Sequence, residues 1–232
     1  MSAELVALGE LLIDFTPCGL SEAGRQRYER NPGGAPANVA VAAARLGLET
    51  AFIGKVGDDM HGRFLRDALA AEGVDVSGLV LDGGTSTSLA FVELGLEGER
   101  DFSFSRRGCG DTQLRPEEVP EKLIREAKVL HLGTLSLTEE PARSAALHAA
   151  VIARGAGVKI SCDVNYRAPL WESEEAFRRA CSELLPWADW VKVSGEEAEL
   201  LTGRKEPEEA AKAIRDRWGV KTAAVTLGAE GA

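Results

Sequence analysis

Apolar and polar residues run along this chain in blocks, and the rhythm of the blocks changes twice. Glu4 to Gly9, then Leu11 to Thr16, is nearly continuous in apolar residues. It predicts a buried first strand, broken at Gly9-Glu10. Pro17 to Glu29 is polar, carries Gly19 and Gly24, and predicts a loop leading into a short strand. Pro32, Gly33 and Gly34 break the chain, and Ala37 to Leu46 is a helical run of small residues. Strand Thr50 to Val56 follows, then helix Met60 to Glu72 with Phe64, Leu65, Ala68 and Leu69 on one face. A β–α–β–α order predicts a parallel sheet with helices on both faces.

The blocks then shorten. Val74 to Leu81, Thr87 to Leu94 and Arg100 to Ser105 are strand-like, separated by Gly83-Gly84 and by residues 94–98. They predict hairpins in a small β insert, with Phe91, Phe102 and Phe104 on one apolar face. From Pro116 the α/β rhythm returns. Helix Pro116 to Ala127 leads to strand Val129 to Gly133, and helix Pro141 to Arg154 to strand Val158 to Asp163. Helix Ser173 to Leu185 leads to strand Trp190 to Val193, then helix Glu196 to Leu201. Ser194 with Glu197 three residues on is a capping box at the start of that helix. Helix Pro207 to Trp218 and strand Thr222 to Leu227 close the chain.

Composition narrows the class. The 232 residues are 44% hydrophobic and 28% charged, which suits one large α/β domain, alone or with a small appendage. A net charge of −10 sets a nucleic-acid partner aside. Four cysteines without C-x-x-C spacing and three scattered histidines show no metal pattern, and predict reduced thiols. The N-terminus has Glu4 and Glu10 inside its apolar run and no basic segment before it. No signal peptide, no membrane span and a cytoplasmic location are therefore expected. Walker A and G-x-G-x-x-G sequences are absent, which leaves P-loop and dinucleotide readings without support.

Several residues stand out chemically, each with a plain structural alternative. Asp14 sits between Ile13 and Phe15 in an apolar strand, so it faces either water or a ligand. Gly33-Gly34 admits close approach of a ligand to the backbone, or makes a tight strand-to-helix turn. Asn38 falls in the first turn of a helix, beside unpaired N–H groups, with two donors and an acceptor of its own. Asp163-Val-Asn165-Tyr-Arg167 lies at the C-terminal end of a strand, where open α/β sheets place ligands; from the residues alone a capped turn with a surface arginine is the preferred reading.

Gly33-Gly34, Pro36, Asn38, Ala40, Gly47 and Gly57, followed by Gly57-Asp58-Asp59-x-x-Gly62, resemble the first signature of the ribokinase-like sugar kinases, the PfkB carbohydrate kinases. The resemblance covers nearly the whole chain and is strongest to fructokinase-like members. It implies an α/β fold: a three-layer αβα parallel sheet with a small β-sheet lid formed by segments of about 17–30 and 74–112. It implies pairing of two copies through that lid. The implied activity is transfer of the γ-phosphate of ATP, with Mg2+, to a sugar hydroxyl, most closely that of fructose. 2-Keto-3-deoxygluconate is the alternative substrate, since Gly34, Arg106 and Arg167 would suit its carboxylate. A non-catalytic sugar-binding or dimerising protein is the alternative of another class. Sugar binding is implied for Asp14, Gly33, Gly34, Asn38, Arg106 and Arg167. Nucleotide binding is implied for Asn165, Ser194, Glu197, Thr226, Gly228 and Gly231, with Glu197 reaching the magnesium through water. The family's aspartate after its arginine corresponds to Asp111. Departures are Ser105 for an aromatic, Gly108-Cys109-Gly110 for Pro-Ser-Ala, and Ser194 for Asn.

The family draws its base from Gly-Ala-Gly-Asp at a helix N-terminus. That motif follows the turn matched by Thr226 to Gly231, so the base is expected beyond Ala232. Gly108 to Asp111 resembles it, but Thr-Gln-Leu-Arg-Pro follows in place of an apolar helix. Gly155-Ala156-Gly157 is followed by Val158. No catalytic residue is assigned. The chain is expected to be the N-terminal part of one family domain, truncated at its C-terminus and inactive by itself.

Overall fold

The computed structural model describes residues 3–94 and 100–232, so the separator expected at 94–98 lies outside the described residues after Leu94. Strand β1 (Leu5–Leu8) runs parallel to β4 (Thr50–Gly57) on one side and β8 (Val129–Gly133) on the other. All eight residues of β4 are buried, which is why its apolar run does not alternate. The large sheet has seven strands, all parallel. On the far side of β8 come β9 (Lys159–Asp163), β10 (Trp190–Ser194) and β11 (Thr222–Thr226); beyond β4 comes β5 (Asp75–Asp82).

Helices cover both faces. Helices α1 (Ala35–Arg45) and α2 (Met60–Ala71) bury Ala37, Ala40, Leu65 and Leu69 against Ala7, Phe52 and Val56. The other face carries α3 (Glu121–Arg125), α4 (Ala142–Ala156), α5 (Glu174–Leu184), α6 (Gly195–Thr202) and α7 (Pro207–Trp218). Alanines 145, 146, 149 and 153 let α4 approach the sheet closely; Phe177, Leu184 and Trp218 fill the wider gaps.

A second sheet of four strands has the order β3 (Gln26–Gly33), β2 (Leu12–Leu20), β6 (Leu89–Leu94), β7 (Arg100–Ser105). Three expectations change here. Leu11 to Thr16 does not continue the first strand within one sheet. At Gly9–Leu11 the chain leaves the large sheet, and β2 pairs with β3 and β6 instead. The polar stretch 17–30 is a hairpin arm more than a loop, because β2 extends to Leu20 and β3 starts at Gln26. Residues 75–82, grouped by their rhythm with the small insert, form the edge of the large sheet parallel to β4. Val76, Leu79 and Leu81 pack there on the α1–α2 side, and an alternating pattern cannot say which sheet a strand joins. The helix expected over 116–127 is also divided. Pro120, which lacks an N–H, separates a short turn at Pro116–Glu118 from α3.

Candidate active site

The order of the large sheet reverses at β1. The chain winds from β1 to β4 and β5 in one direction, and from β8 to β11 in the other. Ligands of open α/β sheets bind at such a switch point, beyond the carboxyl ends of the strands. A cleft of about 160 Å3 opens there. Glu10 reaches it from the end of β1, Leu135 from beyond β8, and Asn165 and Arg167 from beyond β9. Gly34, Ala35 and Asn38 enter from the start of α1, and Asp14, Phe102 and Phe104 from the small sheet.

The local sequence explains this convergence. Leu12 pairs with Gly33 and Asp14 with Asn31, so the hairpin carries Asp14 back beside the double glycine. A Cβ at Gly33 would overlap the Asp14 carboxylate. A Cβ at Gly34, where φ is +113°, would overlap the Glu10 carbonyl. Both glycines are thus required by close approach, and by backbone conformation at Gly34. Gly33→Ala is expected to displace Asp14 and weaken ligand binding in the cleft, with the fold retained. Calorimetric titration of the folded variant checks this, and unchanged affinity would refute it.

Burial raises the Asp14 carboxyl above its usual range, while Arg167 across the cleft pulls it back. Arg167 also lies over the Phe102 ring, 5.8 Å from its centre, and donates to the Tyr166 carbonyl at 2.9 Å. Asn165 has φ of +44°, a left-handed conformation that asparagine tolerates better than most residues.

Asn165 and Arg167 line a second cleft of about 380 Å3 as well, together with Tyr166, Lys192, Ser194, Glu196 and Glu197. Glu197 is buried and holds two segments together. Its Oε2 accepts the Ser194 N–H at 2.7 Å, closing the capping box, and its Oε1 accepts the Tyr166 N–H at 2.7 Å. Lys192 Nζ lies 3.2 Å from Asp163. Thr226 is in register with Ser194 on the neighbouring strand, and its hydroxyl donates to the Val193 carbonyl at 3.3 Å. Gly228 and Gly231 form the turn beyond β11, at the same end of the sheet, closed by the Leu227 N–H on the Gly231 carbonyl at 2.8 Å.

Of the residues picked from sequence, Asp14, Gly34, Asn38, Asn165, Arg167, Ser194 and Glu197 line the two clefts, whereas Gly33, Thr226, Gly228 and Gly231 line neither. Arg106 does not line the cleft. It is 3% exposed, and its guanidinium donates to Asp111 at 2.6 Å, the Thr138 hydroxyl at 2.7 Å and the Leu135 carbonyl at 2.9 Å. Ser88 donates to the other oxygen of Asp111. Arg106 braces the wall that Leu135 presents to the cleft.

The residue that sequence reasoning passed over is Glu10. It is 2% exposed, and its carboxyl is pushed up to about 7 by burial, against the pull of Arg106. The signal was present as an acid inside the apolar run, but it served only to disqualify a signal peptide. A larger hollow of about 800 Å3 between α7 and β11 is lined by Pro207, Ala211, Ala223 and Val225 with exposed glutamates. It brings together no mixed set of donors and acceptors, so the smaller clefts carry the chemistry. Ala232, the residue after which the family's base is expected, lines this hollow and neither of the two clefts.

Comparisons with known proteins agree with this geometry. Residues 2–232 match the model of the pfkB family carbohydrate kinase. The chain is 48% identical over 205 residues to probable fructokinase-7 of Arabidopsis thaliana, covering 88% of this chain and 60% of that protein. A crystal structure of the fructokinase from Xylella fastidiosa with bound ATP superposes with a TM-score of 0.87 at 34% identity, covering 98% of this chain and 73% of that one. A double-mutant fructokinase from Vibrio cholerae O395, in a form with fructose, ADP and potassium ion bound, superposes with a TM-score of 0.87 at 35% identity, covering 99% and 72%. The fold and site define a sugar-kinase architecture of the ribokinase-like type. The chain belongs to the pfkB family of carbohydrate kinases. It spans 60% to 71% of the length of the curated relatives it matches.

Proposed function

We propose that this chain is the sugar-binding and part of the nucleotide-binding portion of an ATP-dependent fructokinase. The observation that carries this is the pair of adjoining clefts that share Asn165 and Arg167. A sugar in the first and a triphosphate in the second meet at that loop, which is the alignment phosphoryl transfer needs. Asp14 accepts sugar hydroxyls, with Gly33, Gly34 and Asn38 shaping the pocket floor. Arg167 bridges sugar and phosphate. Ser194 lines the nucleotide side, with Thr226, Gly228 and Gly231 beside it at the same end of the sheet. The base that removes the hydroxyl proton is not assigned to any residue up to Ala232.

Among the described residues no group of three or more His, Cys, Asp or Glu is placed to hold a metal ion. Magnesium would be held there through phosphate oxygens and water, with Glu197 in its outer sphere. When bound there, the ion would neutralise charge on the transferring phosphate. Glu197 suits an outer role because each of its oxygens already accepts a backbone N–H.

Fructose is favoured over 2-keto-3-deoxygluconate on two grounds. The named relatives are fructokinases. Arg106, which would have met the keto-acid carboxylate, is already engaged by Asp111. Calorimetric titration of the chain with each sugar, and with ATP and magnesium, tests the reading. Saturable fructose binding tighter than that of the keto acid is expected; the reverse order would replace the substrate. Asp14→Ala should weaken fructose binding by about tenfold to a hundredfold, the loss of a charged hydrogen bond, and leave ATP binding unchanged. A folded variant with unaltered fructose affinity would remove Asp14 from the site.

A further inference from the structure

We propose that Glu10 is a positioning residue of the sugar cleft, whose carboxyl group holds the Gly33-Gly34-Ala35 turn in the conformation a sugar packs against. The inference rests on the fructokinase reading and adds a residue to it. Four observations carry it. First, α1 begins after Gly34, which has no side chain to cap the helix, so its first N–H groups need an acceptor from elsewhere. Glu10, 25 residues upstream, supplies one: its Oε1 accepts the Ala35 N–H at 3.1 Å. Second, the Glu10 carbonyl fills the space that a Gly34 side chain would take. Residue 10 thus touches the turn with main chain and side chain together.

Third, Oε2 of Glu10 is buried and has no hydrogen-bond partner among the described residues. A carboxyl group that only capped a helix would be poorly chosen for such a place, since a glutamine or an apolar residue avoids burying an unpaired charge. Fourth, Glu10 lines the cleft itself, at the switch point of the sheet.

The surroundings make this hold responsive to pH. Burial pushes the Glu10 carboxyl up, to about 7; Arg106 opposes that and Asp111 adds to it. Asp14 and Arg167 face the same cleft from the small sheet and from the loop beyond β9. Both protonation states of Glu10 are therefore populated near neutral pH. The ionised form makes the stronger, charge-assisted bond to the Ala35 N–H. Sugar affinity should accordingly improve as pH rises from 6 to 8.

The experiment is calorimetric fructose titration of the wild-type chain, Glu10→Gln and Glu10→Ala at pH 6, 7 and 8, with 15N spectra of the Ala35 amide. Glu10→Gln retains an acceptor but cannot ionise. Its affinity is expected to match the wild type at pH 6 and to stay flat. Glu10→Ala should lose about tenfold or more at pH 8, with ATP affinity unchanged. The Ala35 resonance should titrate in the wild type with a midpoint near the Glu10 value and stand still in Glu10→Gln. A purely structural Glu10 would lower stability and leave the affinity of the folded protein unchanged, which would overturn the proposal. So would a pH slope in Glu10→Gln equal to that of the wild type, which would belong to Asp14. A wild-type chain that binds no fructose would instead overturn the fructokinase reading, and the Ala35 resonance would still decide whether Glu10 holds the turn.

Discussion

Asp111→Ala is expected to destabilise the chain by about 3–5 kcal/mol, the usual cost of stranding one member of a buried ion pair. Arg106 and Asp111 are 3% and 5% exposed, and their side chains meet at 2.6 Å. Removing the carboxylate leaves the guanidinium in a low-dielectric site, with the Thr138 hydroxyl and the Leu135 carbonyl as its remaining acceptors among the described residues. The Ser88 hydroxyl loses its acceptor as well. Replacing both partners with apolar residues, as in Arg106→Met with Asp111→Leu, should recover much of the loss, because no charge then remains buried. Urea unfolding curves check this through the midpoint at constant slope. A loss below about 1 kcal/mol for Asp111→Ala, of the size typical for exposed pairs, would show that water reaches the pair in solution. The effect should extend to the cleft, since Arg106 steadies the carbonyl of Leu135, one of its lining residues.

The second large effect is a dependence of stability on pH set by Glu10. Its carboxyl lies at about 7 in the folded chain against an ordinary value of 4.5. Between those values the folded state keeps a proton that the unfolded state releases. Stability therefore falls as pH rises through the window, and levels off above it. At about 1.36 kcal/mol per pH unit the total is on the order of 3 kcal/mol. His131 works in the opposite sense, because burial lowers its value below 6.5 and so removes stability as pH falls. The wild-type profile alone mixes these with Asp14, whose carboxyl is also raised by burial. The difference between the wild type and Glu10→Gln isolates Glu10: the variant should gain relative stability steadily from pH 4.5 to 7. Parallel profiles for the two proteins would mean that Glu10 ionises in the folded state as it does in water. In the fructokinase reading these two effects compete, since the ionised form that folding disfavours is the one that holds the sugar turn.

Elements whose signals are local agree with the chain's own pattern. Helix α7 spans Pro207–Trp218 as the periodicity predicts, with proline in its first turn and Gly219 in the left-handed conformation after its end. The capping box of Ser194 and Glu197 closes as its spacing requires. Elements whose membership depends on distant partners do not follow from pattern. The alternation in β5 suits either sheet, and pairing with β4 settles it. The run through Gly9 and Glu10 reads as one interrupted strand, yet its two halves belong to different sheets.

The same division runs through the site. Asp14, Gly34, Asn38, Asn165 and Arg167, which the resemblance marks, meet in one cleft because short motifs keep their residues at set spacings from a strand end or a helix start. That local order determines the α/β rhythm, the double-glycine turn and the end of the sheet at which the motifs lie. Only the tertiary structure decides what each charged side chain faces. The resemblance puts Arg106 at the sugar, and its hydrogen bonds to Asp111, Leu135 and Thr138 make it a buried brace. Glu10 carried no motif, and the crossing from one sheet to the other brings it under the start of α1. The physical reason is common to both cases: spacing along the chain sets backbone geometry over a turn or two, whereas burial and charge pairing depend on residues far apart in sequence that only the assembled fold brings together.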